Sequence, residues 1–199
     1  MWMTRDRNSD RPRARRRGPW RRAPALLLPW LLAGCLGMPD GVAPVQDFDA
    51  GRYLGRWYEI ARLDHGFERD LVDVTAEYSQ RDDGAVRVVN SGFDSAEREW
   101  QSVEGVARFV RGEDEGYLKV SFFGPFYGSY VVFGLDHEGY EYAFVSGFNH
   151  DYLWLLARSP SVSGELRRRF ESEAARRGFP TDELIWVEHG AAPAPRGAG

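Results

Sequence analysis

From Trp57 to Arg158 apolar and polar residues alternate in short runs, each bounded by Gly, Pro, Asn or Asp. Alternation with period two marks strands that bury one face and wet the other. In the first run Trp57, Glu59 and Ala61 share one face, and Tyr58, Ile60 and Arg62 share the opposite one. Seven more runs follow, over 74–79, 86–93, 100–110, 117–123, 130–135, 140–147 and 152–158. Asp82-Asp83-Gly84 between two of them is a hairpin signal, because Asp-Gly readily adopts the left-handed backbone a tight turn needs. The stretch 64–72, of mixed charge around Phe67, predicts a loop across an opening.

The rhythm changes after residue 160. Leu166, Phe170 and Ala174 recur at helical spacing, Ser163 can cap the first turn, Glu165 lies within it, and Gly178 follows, so a helix is predicted over 163–177. A short strand over 184–188 comes last. Eight antiparallel strands joined to their neighbours, then one helix, predict an all-β fold. The expected form is an eight-stranded antiparallel up-and-down β-barrel with one C-terminal α-helix packed outside. A sandwich or another small barrel satisfies the same pattern. A barrel of eight strands can enclose one small ligand.

The length, 199 residues, suits one domain with short tails. The net charge of −4 conceals an asymmetry: the first 35 residues hold nine arginines against Asp6 and Asp10, leaving 17 of the 26 basic and 28 of the 30 acidic residues to the rest. An acidic body without a basic stripe disfavours a nucleic-acid partner. Arg11 to Arg22 precede an apolar run, Ala23 to Ala33, which is shorter than the roughly 20 residues a membrane span requires and reads as a secretory leader. Cys35 is the only cysteine, so no disulfide forms within the chain. Leu32-Ala33-Gly34-Cys35 resembles the bacterial lipobox, which implies removal of residues 1–34 and acylation of Cys35. More than one acyl chain gives a stable membrane anchor where a single chain is marginal. Residues 35–46, Pro- and Gly-bearing and aperiodic, read as a lipidated tether; 47–190 would be the folded domain and 191–199 a disordered tail.

Four stretches carry a family resemblance: FDAGRYLGRWYEIAR at 48–62, KVSFFGPFYGSY at 119–130, DYLWLLARSP at 151–160 and GFPTDELIWVEHG at 178–190. Together they resemble the lipocalins, in particular the bacterial outer-membrane lipocalins, over nearly all of the folded part. The resemblance decides for the barrel over the sandwich. It implies a structural floor in which Gly55 turns the chain and Arg158 lies across Trp57, where a guanidinium over an indole is worth roughly 0.5 to 2 kcal/mol. The family's usual Thr-Asp-Tyr is reduced here to Leu135-Asp136-His137, with Tyr140 a few residues on. Dimers occur among bacterial lipocalins, although no stretch of this sequence identifies an interface.

If Arg158 points toward the barrel axis, strand parity puts Leu156, Trp154 and Tyr152 inside. Glu59 then faces inward from the first strand, where a carboxylate must find a partner or resist ionisation. Tyr78, Asn90, Arg108, Lys119, Tyr130 and Phe144 are further candidate ligand contacts, and Tyr127, in the aromatic loop 122–130, is expected at the mouth. His65, His137, His150 and His189 are scattered without metal or nucleophile spacing and read as surface imidazoles. No cofactor, metal or catalytic residue is expected. The leading expectation is a lipid-anchored envelope lipocalin that binds a fatty acid, lysophospholipid or similar amphiphile. The alternatives are an enzyme on the same barrel, using Glu59 with Tyr127, and an envelope protein with a filled barrel that docks a partner.

Overall fold

The computed structural model describes residues 36–194; the expected leader, Cys35 and the last five residues lie outside them. A four-residue helix, α1 (Ala50–Tyr53), leads into β1 (Gly55–Arg62). Then come β2 (Leu71–Gln80), β3 (Val86–Asp94), β4 (Glu99–Phe109), β5 (Tyr117–Ser121), β6 (Gly128–Leu135), β7 (Tyr142–Ser146) and β8 (Leu153–Ala157). Helix α2 (Gly164–Ala175) and a two-residue strand, β9 (Ile185–Trp186), complete the fold. Each strand from β1 to β8 pairs antiparallel with the next, and β8 pairs with β1, so the barrel closes and only β9 is added beyond it. The predicted eight strands and single outer helix are therefore present. Ser163 caps α2 as expected, its hydroxyl accepting from Leu166 N at 3.2 Å.

Two apolar clusters sit on opposite sides of the barrel wall. The inner one holds Trp57, Tyr78, Val88, Leu118, Val132, Val145 and Leu156, with Phe48, Tyr53 and Tyr140 closing one end. The outer one lies beneath α2, where Phe170 and Ala174 meet Ile60, Val131, Phe144 and Leu155. Phe170 is fully buried, 5.1 Å from the Phe144 ring. An aromatic of this size removed from such a site typically costs 3 to 5 kcal/mol, on the order of what holds the helix to the wall.

Parity fails at one place in β1. Its register with β8 slips between Glu59 and Ala61: Glu59 lies opposite Leu156 and Arg62 opposite Trp154, whereas Ala61 lies opposite Leu155. The extra residue, Ile60, turns Ala61 out toward α2 and Arg62 in toward the axis, the reverse of the face assignment from alternation alone.

The segment read as a tether is folded where it is described. Pro39 and Val42 are buried, and Val42 joins the outer cluster. Val45 N donates to Val132 O at 2.8 Å and Val45 O accepts from Gly116 N at 2.9 Å. Gly37 N donates to Ser129 Oγ at 2.9 Å. These apolar side chains and backbone bonds hold residues 37–45 along the outside of β6 as a strap. The chain is likewise ordered past 190: Asp73, at a second bulge in β2, accepts from Gly190 N and Ala192 N, and Trp100 Nε1 donates to Pro193 O at 2.8 Å.

Candidate ligand site

The closed end is built around Trp57, whose side chain is fully buried. Its indole nitrogen donates to Tyr53 O at 2.8 Å, which locks the last turn of α1 over the barrel. The Arg158 guanidinium lies 3.9 Å above the indole ring. It also donates to the carbonyls of Arg52 (2.7 Å), Arg56 (2.8 Å) and Leu54 (2.9 Å), groups a four-residue helix and its exit would otherwise leave open. Gly55 has φ +90°, a left-handed conformation that lets the chain turn from α1 into β1, and a Cβ there would stand 3.6 Å from Arg158 Nη1. Tyr140 closes the other side, its hydroxyl accepting from Asp49 N at 2.8 Å beneath the Arg52 guanidinium.

Above this floor three phenols meet inside the barrel. The Tyr130 hydroxyl lies 2.7 Å from that of Tyr53 and 3.0 Å from that of Tyr78. Burial raises all three phenols well above the ordinary value, so they stay neutral and act as hydrogen-bonding groups only. The space left among them, Val86, Ala107 and Leu118 measures about 10 Å³, roughly one water. The lower interior is thus filled by the protein's own side chains.

The interior nearer the open end is polar. Arg62 Nη1 donates to Glu59 Oε1 at 2.8 Å, and Arg62 Nη2 donates to the Glu68 carbonyl at 2.6 Å. Trp154 Nε1 donates to the Glu68 carboxylate at 3.2 Å. Burial, with the neighbouring Glu68 charge adding to it, pushes the Glu59 carboxyl up, against the opposing pull of Arg62; burial likewise raises Glu68. His65 stacks between Phe67 (5.4 Å) and Tyr152 (4.9 Å), and burial helped by the Arg62 charge lowers it to about 4. Asn90 faces inward beside Ala76 and Val103. Its Oδ1, Arg62 Nε and His65 Nε2 are buried without a hydrogen-bond partner. Phe122 completes this part of the wall, its ring filling the space beside Gly105, where a Cβ would come within 2.7 Å of it.

Of the residues singled out from the sequence, the structure brings Glu59, Tyr78, Asn90, Tyr130 and Trp154 to the interior. Four others lie elsewhere: three correct the parity argument, and Tyr127, expected at the mouth, lies in the β5–β6 connection at the open end with its ring on the outside. Arg108 points outward between inward-facing Ala107 and Phe109 and pairs with Asp83 at 2.7 Å. Lys119 stands on the outer wall between inward Leu118 and Val120, 5.0 Å above the Tyr127 ring, which is therefore outside as well. Phe144 belongs to the outer cluster because the bulge between Val132 and Gly134 in β6 accompanies a reversed facing of β7, with Ala143 and Val145 inside. Contrary to the surface reading of the imidazoles, His65 is buried, and the His189 side chain is only 6% exposed and shares a hydrogen bond with the Glu59 carbonyl at 2.8 Å. Arg62, Glu68 and Tyr53 were missed: a bulge, a loop that folds inward and a short helix each carry one of them. Only Tyr53 had a readable signal, Asp49 as cap of the turn it starts. Among the described residues no group of three His, Cys, Asp or Glu is placed to hold a metal.

A closed eight-stranded barrel with an aromatic floor, a polar upper interior and a helix on its flank defines a calyx protein. The chain belongs to the lipocalin family: the lipocalin-like domain matches residues 48–189. It is 58% identical over 158 residues to the outer membrane lipoprotein Blc of Vibrio cholerae, covering 79% of this chain and 92% of that one. It is 51% identical over 150 residues to the Blc of Escherichia coli K12, covering 75% and 84%. Insecticyanin from the tobacco hornworm shares the fold, with a TM-score of 0.62 at 21% identity over 78% of this chain and 88% of that one. The kinship with the outer membrane lipoproteins places this lipocalin in the bacterial cell envelope, at the outer membrane.

Proposed function

We propose that the barrel holds one fatty acid, lysophospholipid or similar amphiphile for storage, transport or maintenance of envelope lipids, while acylated Cys35 keeps the protein on the membrane. The observation that carries this reading is the division of the interior. Its depth is apolar and filled, whereas its upper part presents Arg62 Nε and Asn90 Oδ1, buried and unpaired, beside Trp154 and Phe122. Buried polar atoms without partners are costly, and a ligand with a polar head and an oily chain supplies both kinds of contact. Each methylene brought inside contributes about 0.8 kcal/mol, so about ten supply the scale of micromolar binding before ordering costs. Tyr78 and Tyr130 mark the depth beyond which a chain cannot pass.

Binding rather than catalysis is favoured because Glu59 and Tyr127, the pair an enzyme reading would use, stand on opposite sides of the wall. The test is titration of the purified protein with a fluorescent fatty acid and a fluorescent lysophospholipid. Saturable energy transfer from tryptophan, weakened in Trp154→Phe while binding persists, is the expected result. Absence of saturable binding, together with native mass spectra free of co-purified lipid, would sink the carrier reading; turnover of either lipid would replace it with an enzyme.

A further inference from the structure

We infer that the open mouth of the barrel rests against the lipid leaflet in which the protein is anchored, so that a lipid passes between bilayer and calyx without crossing water. The inference rests on the acylation of Cys35 proposed above and adds to it an orientation. Two independent features of the structure point the same way.

The first is the course of the strap. Strand β6 runs from Gly128 near the open end to Leu135 near the floor. Val45 is bonded opposite Val132, and Gly37 opposite Ser129. Followed toward the N-terminus, the chain therefore climbs the outer wall away from the floor. Cys35 precedes Gly37 by two residues, an extended reach of about 7 Å. From Ser129 the same two-residue step along β6 leads to Tyr127, in the loop that forms the rim. The described chain thus begins at the level of the mouth, beside the β5–β6 loop and not beneath the floor, within two residues of the proposed anchor.

The second is the surface of the rim. Among the described residues the most exposed large apolar side chains are Phe123 (75%), Phe126 (68%) and Phe67 (64%). Phe123 and Phe126 lie in the β5–β6 loop and Phe67 in the β1–β2 loop, both at the open end. The segment 122–130 carries no charged residue, and Leu36, next to the anchor, is itself about half exposed. Exposed aromatic rings on an end that a nearby acyl anchor holds at a membrane are suited to the boundary between headgroups and acyl chains. At the opposite end the exposed large apolar side chain among the described residues is Val110, in the β4–β5 connection.

The experiment uses the full acylated chain on vesicles of phosphatidylethanolamine and phosphatidylglycerol, with Phe126→Cys and Val110→Cys each labelled by an environment-sensitive fluorophore. Neither position is buried, and Cys35 is blocked by its acyl groups. Quenching by nitroxide-bearing lipid at 126 and not at 110 is expected. Quenching at 110 alone, or at neither site on protein that floats with the vesicles, overturns the orientation while leaving the anchor intact. Protein that does not float removes the anchor, and the orientation with it. A second measurement reads the consequence: Phe123→Ser with Phe126→Ser should slow uptake of a fluorescent lipid from the same vesicles about tenfold, with affinity for monomeric lipid in solution unchanged. Unaltered uptake would mean that the mouth does not load from the bilayer.

Discussion

Arg158→Ala should unfasten the closed end, and its cost can be built from the contacts it removes. The guanidinium over Trp57 at 3.9 Å contributes roughly 0.5 to 2 kcal/mol. Three charged hydrogen bonds to the carbonyls of Arg52, Leu54 and Arg56 add to this; because the side chain is only partly buried, they lie toward the lower end of the usual range. At about 0.5 to 1 kcal/mol for each of these partly exposed bonds, a total of about 2 to 5 kcal/mol follows. With a urea dependence on the order of 2 kcal/mol per molar, the unfolding midpoint should fall by roughly 2 M. Trp57→Ala should cost a similar 3 to 5 kcal/mol through the cavity it leaves. The two are in contact, so their double-mutant cycle should show coupling of about 1 to 2 kcal/mol. Arg158→Lys, which retains the charge but not the forked donors, should fall between wild type and Arg158→Ala. Additivity within about 0.3 kcal/mol would refute the argument that the pair acts as a unit, and an undiminished midpoint in Arg158→Ala would refute its role in closure.

Tyr130→Phe removes the hydroxyl shared by Tyr53 and Tyr78, so it should cost about 1 to 3 kcal/mol in urea unfolding, more than Tyr78→Phe, which breaks one contact; equal costs would contradict the three-phenol arrangement. Glu59 has a folded-state pKa raised above its ordinary 4.5, so the folded protein binds the extra proton, and stability falls as pH rises from 4.5 toward that raised value. His65, lowered to about 4, works in the opposite sense: its contribution is present above 6.5 and lost as pH falls toward 4. Glu59→Gln should remove the fall in stability that Glu59 contributes as pH rises above 4.5; an unchanged pH dependence in urea titrations at several pH values would reject the assignment. Cys35→Ser should leave the chain unlipidated and move it from the membrane to the soluble fraction, and a membrane fraction unchanged on flotation would discard the lipobox reading.

Hydrophobic periodicity, of two residues in the strands and of helical spacing in α2, was enough to find every barrel strand and the helix, because burial of one face is what both the sequence and the fold encode. The floor of Gly55, Trp57 and Arg158 was legible only through the resemblance to the lipocalins, because a Gly-x-Trp by itself more often marks plain core. Side-chain facing was less so. Ile60 is one residue more than the ladder with β8 accommodates, and nothing in Glu59-Ile60-Ala61-Arg62 distinguishes a bulge from a regular strand. Arg108 and Lys119 were named as candidate contacts on strand parity, yet each is flanked by residues of the inner cluster, and their neighbours Ala107, Leu118 and Val120 were the better guide. The strap escaped notice because its order comes from backbone bonds to β6 and burial of isolated residues such as Val42, neither of which has a period.

The bulge joins the barrel interior to its mouth. Burying the Glu59–Arg62 pair brings little or no net stability, because desolvation consumes most of what the attraction supplies. The pair therefore needs another account, and the remaining donors of Arg62 provide it: they bond the carbonyls of Glu68 and, at 3.3 Å, Leu71, at the end of the loop that carries Phe67. A single guanidinium thus fixes the loop backbone and lines the polar part of the interior. Had Ala61 kept the inward face, the loop carbonyls would face an apolar wall and the mouth would have no inward-facing cation. Under the proposed function, a polar head entering between Glu59, Arg62 and Trp154 would meet the same group that holds the rim in place, which would link occupation of the calyx to the conformation of its mouth through Arg62.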